Sequence, residues 1–204
     1  AGGDVELDAH GLGGGHGGGD IASRLAVQHV LERFVAQPDT QPAHAAQLVR
    51  SANQTVVSNQ VPGTSQAQMH STLVLLAIDF VNLTAAWAHA GDSRLYCFRN
   101  GMFLSHTKDH SFVQSLSDAG LLAAEDMKTH PQRSELLSAL GTPDGDLAIG
   151  ESPQGWVVEP GDVYMLCTDG LWEYLDDSHM AHLLSLASGP QHWLEMLEQE
   201  VLRA

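Results

Sequence analysis

A series of short strand-like segments between residues 71 and 104 constrains the fold more than any other feature of the sequence. The first segment is almost continuously apolar, and Asn100-Gly101 is a tight hairpin turn between the last two. The segments are residues 71–80, 84–90, 94–98 and 102–104. Strands joined mainly by hairpins favour a layered α+β architecture over alternating strand–helix units.

Helical patterns occur in pairs around these strands. A helix is predicted to begin at Ile21 with Asp20 as its N-cap, because apolar residues from there to Phe34 lie near helical spacing. Further helices are predicted at residues 43–57, 110–119, 135–140, 178–185 and 190–203, and further strands at 5–7, 155–158 and 163–167. The sequence therefore predicts an α+β fold.

Length and charge limit the classes of partner. The 204 residues fit a single domain, residues 1–204, and 43% of them are hydrophobic, enough for a packed core. The net charge of −16 argues against nucleic acid or an anionic membrane surface as a partner. The first residues do not resemble a secretory leader, and two cysteines suit a reducing compartment, so we expect a cytoplasmic protein.

Residues 11–19 contain seven glycines and separate a predicted strand from a predicted helix. A flexible linker normally separates domains, so this position favours a structural or functional loop, with a plain linker as the alternative.

Three aspartates stand beside glycine at predicted strand ends: Asp8, Asp92 and Asp169. Magnesium and manganese prefer several oxygen ligands of this kind, although Asp-Gly and Gly-Asp are also common turn dipeptides. Asp169 stands out because it follows the apolar strand 163–167, where a carboxylate is costly without a cationic partner. Glu173 follows four residues later and is expected to reach the same centre.

Several motifs then occur in order between about residue 8 and residue 177. Residues 161–172, GDVYMLCTDGLW, and residues 90–96, AGDSRLY, resemble two signatures of the metal-dependent protein phosphatase family (PPM, protein phosphatase 2C-like). Residues 107–114, TKDHSFVQ, resemble a third, and residues 120–141 resemble the flap of its bacterial branch. The glycine loop leading into residues 20–23 resembles the opening motif of the family.

This resemblance implies a four-layer αββα sandwich, in which two antiparallel sheets are flanked by helix pairs. It implies hydrolysis of phosphoserine and phosphothreonine by a hydroxide held between two Mn²⁺ or Mg²⁺ ions, with a third ion more weakly bound. Cations supplied in this way explain how an acidic protein binds phosphate. The expected partners are phosphorylated proteins, substrates of a cognate kinase, with specificity in a flap at residues 112–141. The protein is expected to be a monomer.

The resemblance also assigns site residues. Asp169 matches the core metal ligand, and Asp92 and Glu173 match ligands of the third metal. In one alignment of the glycine loop, Asp8 bridges both metals, Ala9 lends its carbonyl, and His10 protonates the leaving alkoxide. In the other alignment, His10 replaces the metal-binding aspartate and Gly11 supplies the carbonyl, which leaves an altered centre.

Two family motifs are expected outside the ends of this sequence: a phosphate-binding arginine with an Asn-(Glu/Gln)-Asp segment upstream, and an Asp-Asn motif downstream. The chain is therefore expected to be either a piece truncated at both ends or a degenerate member. The alternative function is a pseudophosphatase that binds phosphoproteins or regulates a partner without hydrolysis.

Overall fold

The computed structural model describes residues 4–8, 11–12 and 18–203, with the backbone alone for the first two ranges. The strands are β1 (Asp4–Asp8), β2 (Gly11–Leu12), β3 (His70–Ser71), β4 (Leu73–Asp79), β5 (Thr84–Ala90), β6 (Arg94–Arg99), β7 (Met102–His106), β8 (Gly150–Glu151), β9 (Trp156–Val157) and β10 (Asp162–Cys167). The helices are α1 (Gly19–Ala36), α2 (Pro42–Ser58), α3 (Phe112–Asp118), α4 (Asp169–Trp172), α5 (Asp177–Leu186) and α6 (Pro190–Val201), with a 3₁₀ helix at Ala124–Thr129.

The strands form two main antiparallel sheets, as the hairpin pattern predicts. The first sheet has the order β1-β4-β5-β8, and β9 also pairs with β5. The second sheet has the order β10-β6-β7, and β2 pairs with β3 as a small ribbon. Every pairing between these strands is antiparallel.

The near-continuous apolar run of β4 follows from its position between two layers. Leu73 and Leu75 pack in one cluster with α1 and α2, whereas Val74 and Leu76 pack against the second sheet. Alternate side chains of a strand point to opposite faces, so both faces of β4 are buried. Burying each such leucine stabilises the fold by roughly 1.5–3 kcal/mol.

The second sheet repeats this arrangement on its own outer face. Tyr96 and Phe98 of β6 pack with Met180 and Trp193 of α5 and α6, and the rings of Phe98 and Trp193 meet edge to face at 5.3 Å. Tyr164 and Leu166 of β10 instead join the cluster between the sheets. The order of layers is helices, sheet, sheet, helices, which confirms the predicted αββα sandwich.

The helix predicted at residues 135–140 is wrong. Its leucines have helix-like spacing, but the backbone is extended and pairs with two other segments. The amide of Leu137 donates to the carbonyl of His110 at 2.8 Å, and Leu140 exchanges two backbone hydrogen bonds with Ser71. These long-range bonds satisfy the same backbone groups that a helix would use, so tertiary pairing overrides the local pattern.

The N-cap predicted at Asp20 is also wrong. The cap position of α1 is Gly18, with a φ of 74°, and Asp20 lies in the first turn, where it pairs with Arg24 at 3.1 Å. A side chain at position 18 would meet Met69 Cγ at 2.8 Å, so the close approach of the chain at this point requires glycine. The other predicted helices and strands are found, with shifts of up to two residues at their ends.

Gly141 is expected to be a more sensitive position than Gly101, although both have a positive φ, 93° and 77°. A Cβ at Gly141 would collide with the carbonyl oxygen of Met69, whereas one at Gly101 would meet nothing within 4 Å. Gly101→Ala is expected to lower the free energy of unfolding by about 1–2 kcal/mol, the cost of left-handed backbone alone. Gly141→Ala is expected to lower the free energy of unfolding by about 1–3 kcal/mol more, because of the overlap with the Met69 carbonyl. Urea denaturation measures both, and equal losses would contradict this account.

In the part of the chain whose helices are described, none is long and apolar enough to cross a bilayer.

Candidate metal centre

Several strand ends meet at one end of the sandwich. β1 ends at Asp8, which pairs with Val74, and β5 ends at Ala90, which pairs with Leu73. In the second sheet the last residue of β10, Cys167, pairs with Arg94. Because antiparallel neighbours meet end to start, the segments that follow β5 and β10 emerge at the same edge. These segments carry the two aspartates that the sequence singles out.

Asp92 and Asp169 are close enough to affect each other electrostatically. Burial, and then the negative charges of Asp109 and Asp169, raise the pKa of Asp92 to about 6. One oxygen of Asp169 accepts a hydrogen bond from the Gly170 amide at 2.9 Å. Among the side chains that the structure describes, no lysine, arginine or histidine forms an ion pair with Asp92 or Asp169. A divalent cation fits these residues, since it would supply the positive charge that they lack.

Glu173 lies one turn after Asp169, and its carboxylate is 3.6 Å from Nε of Arg133. This contact turns it toward residues of the predicted flap. Within the described side chains, no group of three or more His, Cys, Asp or Glu is arranged to hold a metal ion. The side chain of Asp8 lies outside the described ones. The role of Glu173 as a ligand therefore stays a prediction.

The residues predicted to complete the centre lie at the end of β1. The backbone of Asp8 is the last position of that strand, in register with Val74, and β1 lies beside β10. Ala9 and His10 lie outside the described residues. The backbone thus brings position 8 to the same edge as Asp92 and Asp169, while the two alignments of the glycine loop both remain open.

Sequence reasoning missed a buried ion pair behind the two aspartates. Arg94 donates to both carboxylate oxygens of Asp109, at 2.8 and 2.7 Å, and to the hydroxyl of Tyr96 at 3.0 Å. Its guanidinium carbon lies 3.8 Å from the centre of the Trp172 ring. The available signal was an arginine directly before an apolar run, residues 95–98, in a strand that is expected to be buried. A buried arginine needs an anionic partner.

A second unpredicted feature fixes the backbone next to Asp92. The amide of His110 donates to the carbonyl of Gly91 at 2.9 Å, and the Gly91 amide donates to Nδ1 of His110 at 3.2 Å. The His110 ring also stacks on buried His89, with centroids 4.6 Å apart. Burial, and then His89, lower the pKa of His110 to about 4, so its ring is neutral and Nδ1 can accept.

A cleft of about 610 Å³ opens beside this centre, between the predicted flap and the segment after α4. Its lining includes Trp172 and Glu173, basic residues and further acidic ones; among these are Lys108, Lys128, Arg133, Asp109, Asp176 and Asp177. Lys108 and Lys128 are the only lysines in the sequence, which has a net charge of −16. The cleft therefore gathers much of the small positive charge of the chain next to the carboxylates.

Comparisons with known proteins relate the chain to bacterial protein phosphatases. No model of a protein family matches the chain. It is 33% identical over 179 residues to the protein phosphatase PhpP of Streptococcus pneumoniae, covering 84% of this chain and 69% of PhpP. It is 32% identical over 187 residues to the serine/threonine protein phosphatase PstP of Mycobacterium tuberculosis, covering 85% of this chain but 33% of PstP. The chain thus spans about a third of the length of that relative.

Solved structures show the same similarity. A crystal structure of the Mycobacterium tuberculosis phosphatase PstP/Ppp superposes with a TM-score of 0.83 and 28% identity, covering 100% of this chain and 83% of that one. A structure of the PstP catalytic domain in complex with two manganese ions superposes with a TM-score of 0.78 and 26% identity, again covering 100% and 83%.

Proposed function

The chain belongs to the bacterial PPM, or protein phosphatase 2C-type, family, and on that premise we propose that it is a metal-dependent protein serine/threonine phosphatase. The observation that carries the proposal is the pair Asp92 and Asp169 at one sheet edge. Their mutual repulsion and the burial of Asp92 are unfavourable unless a cation is bound. The similarity to a PstP domain that binds two manganese ions supports the same chemistry.

The residues have distinct roles in the proposed reaction. Asp8 and Asp169 would hold two divalent ions with the Ala9 carbonyl, and Asp92 and Glu173 would hold a third more weakly. When bound, divalent ions would supply Lewis acidity, which lowers the pKa of water and offsets negative charge on the phosphoryl group. The reaction would replace the bond from phosphorus to the serine or threonine oxygen with a bond from phosphorus to a water oxygen, and the proton that this water loses would go to solvent. His10 would give its proton to the leaving oxygen, releasing the hydroxyl side chain and inorganic phosphate.

The proposed substrates are phosphorylated proteins, selected through the flap at residues 112–141 and made by a cognate kinase. The cleft beside Glu173 supports this role, since it has room for side chains next to the phosphoresidue. Cys97 and Cys167 are both buried and neither is disulfide-bonded, which suits the proposed cytoplasmic location.

Removal of divalent metal is expected to abolish hydrolysis of a phosphothreonine peptide by the purified full-length protein. The carboxylates are not expected to activate water themselves, because they carry negative charge and, among the described side chains, no lysine, arginine or histidine forms an ion pair with Asp92 or Asp169. Activity after chelation should return when Mn²⁺ is added, and calorimetry should find at least two Mn²⁺ ions per chain. Hydrolysis that survives exhaustive chelation would contradict the proposal. Phosphopeptide binding with Mn²⁺ uptake but no turnover would indicate a pseudophosphatase instead.

A further inference from the structure

We propose that Trp172 is a positioning residue that holds Asp92 and Asp169 together before metal binds. The inference rests on the proposed function, because it assigns these two aspartates to the metal centre. Trp172 touches neither carboxylate in the contacts described above. It acts through the backbone carbonyl of Asp92 at one end and through the helical turn of Asp169 at the other.

The link to Asp92 is a single hydrogen bond across 80 positions of the sequence. Nε1 of Trp172 donates to the Asp92 carbonyl oxygen at 3.0 Å. The Trp172 side chain is buried, with 8% of the residue exposed, so the bond is shielded from water. Together with the His110 contacts to Gly91, it fixes the segment that carries the Asp92 carboxylate.

The link to Asp169 runs through the short helix α4, which Trp172 anchors. This helix spans only Asp169–Trp172, and no side chain caps its N-terminus at Thr168. A four-residue turn has little stability of its own, so its orientation depends on what anchors it. Trp172 is the residue of the turn that enters the core, where it belongs to the cluster of the second sheet and its helices. Asp169 is thus oriented from the opposite end of the turn.

The indole ring is itself held from the side of β6. Arg94 lies over it at 3.8 Å, and Asp109 fixes Arg94 with two hydrogen bonds of 2.8 and 2.7 Å. A cation over an aromatic face is attractive, most strongly for tryptophan. The three motif segments at residues 90–96, 107–114 and 161–172 therefore converge on one side chain.

The Trp172 support holds together two carboxylates that repel each other. Asp92 and Asp169 are both carboxylates, and among the described side chains no lysine, arginine or histidine forms an ion pair with either, so the two repel each other without a cation. A rigid support keeps the two carboxylates close in spite of this repulsion. Metal binding then does not have to supply the free energy of bringing its ligands together. Loss of the support is expected to weaken metal binding even when the fold survives.

The test compares Trp172→Phe with Trp193→Phe in the full-length protein. Trp193 is a matched control, because its indole N–H donates to the Met180 carbonyl at 3.1 Å and the residue is 2% exposed, but it belongs to α6 and bonds to α5 instead of to the segment of Asp92. Phenylalanine keeps an aromatic ring at each position and removes only the indole N–H and the second ring. Calorimetric titration with Mn²⁺ is expected to give about 10-fold weaker binding for Trp172→Phe, the usual effect of losing a support of a metal ligand. Trp193→Phe is expected to bind Mn²⁺ like the wild type.

Hydrogen exchange without metal gives a second readout. Amides of residues 91–93 should exchange faster in Trp172→Phe than in the wild type. Their exchange rates should be unchanged in Trp193→Phe. If Trp172→Phe does not fold, Arg94→Lys replaces it, since lysine keeps the charge but loses the planar fork. Wild-type Mn²⁺ affinity in the variant used, or equal weakening in the Trp193 control, would overturn the positioning role.

The same titration separates this inference from the proposed function. If the wild-type protein binds Mn²⁺ but hydrolyses no phosphopeptide, the proposed phosphatase activity is refuted. The positioning role is then decided by the comparison of variants. Wild-type protein that takes up no Mn²⁺ would remove both.

Discussion

Replacing Asp169 with asparagine is expected to abolish Mn²⁺-dependent hydrolysis of phosphopeptides and of p-nitrophenyl phosphate. Asparagine has nearly the same shape and keeps an oxygen for the Gly170 amide, which donates to Asp169 at 2.9 Å. It removes the negative charge that attracts the metal. Because even an indirect support of a metal ligand is worth about 10–100-fold, loss of a core ligand is expected to lower turnover by more than about 100-fold.

The fold is expected to survive this change. The substitution removes one of the charges that raise the pKa of Asp92, so it relieves repulsion in the metal-free protein. The free energy of unfolding without metal should stay within about 0.5 kcal/mol of the wild type. The matched control is Asp146→Asn, an exposed carboxylate in a turn outside the motif segments, which should leave turnover intact. Unchanged turnover in Asp169→Asn would refute the assignment of this residue to the centre.

Much of the fold could be predicted because the decisive signals are local. The apolar runs of β4 and β10 indicate strands covered on both faces, and the structure covers them in this way. The segment at 135–140 shows where local pattern fails. Leu136 and Leu140 have helical spacing, but the backbone there bonds to His110 and to Phe112, the first residue of α3, in a pairing that depends on tertiary structure.

The candidate centre could be predicted only in outline. Asp92 and Asp169 stand out because each follows a strand beside a glycine, and antiparallel topology brings such ends together. The sequence does not indicate which basic side chain forms an ion pair with which carboxylate. Arg94 pairs with Asp109 and Arg133 with Glu173, and these choices depend on how strands and flap pack in three dimensions. No spacing rule in the sequence specifies them.

Replacing Arg94 with methionine is expected to have the largest effect on stability. It leaves Asp109 without its partner, and the side chains of this pair are only 10% and 3% exposed. Breaking a buried pair by removing one member typically costs about 3–5 kcal/mol, because an uncompensated charge remains in the interior. Denaturant unfolding of the metal-free protein measures the loss. The exposed pair Asp20–Arg24, with side chains 77% and 75% exposed, provides the contrast, and Arg24→Met should change stability by less than about 0.5 kcal/mol.

The double variant Arg94→Met/Asp109→Leu decides whether the unpaired charge is the cause. If it is, removing Asp109 as well should restore most of the lost stability, since two apolar side chains replace two charges of similar volume. If lost packing of Arg94 on Trp172 is the cause, the double variant should be as unstable as the single one. Restored stability together with weakened Mn²⁺ binding would separate the two tasks of Arg94: balancing the charge of Asp109 in the core, and holding the indole ring that supports the metal centre.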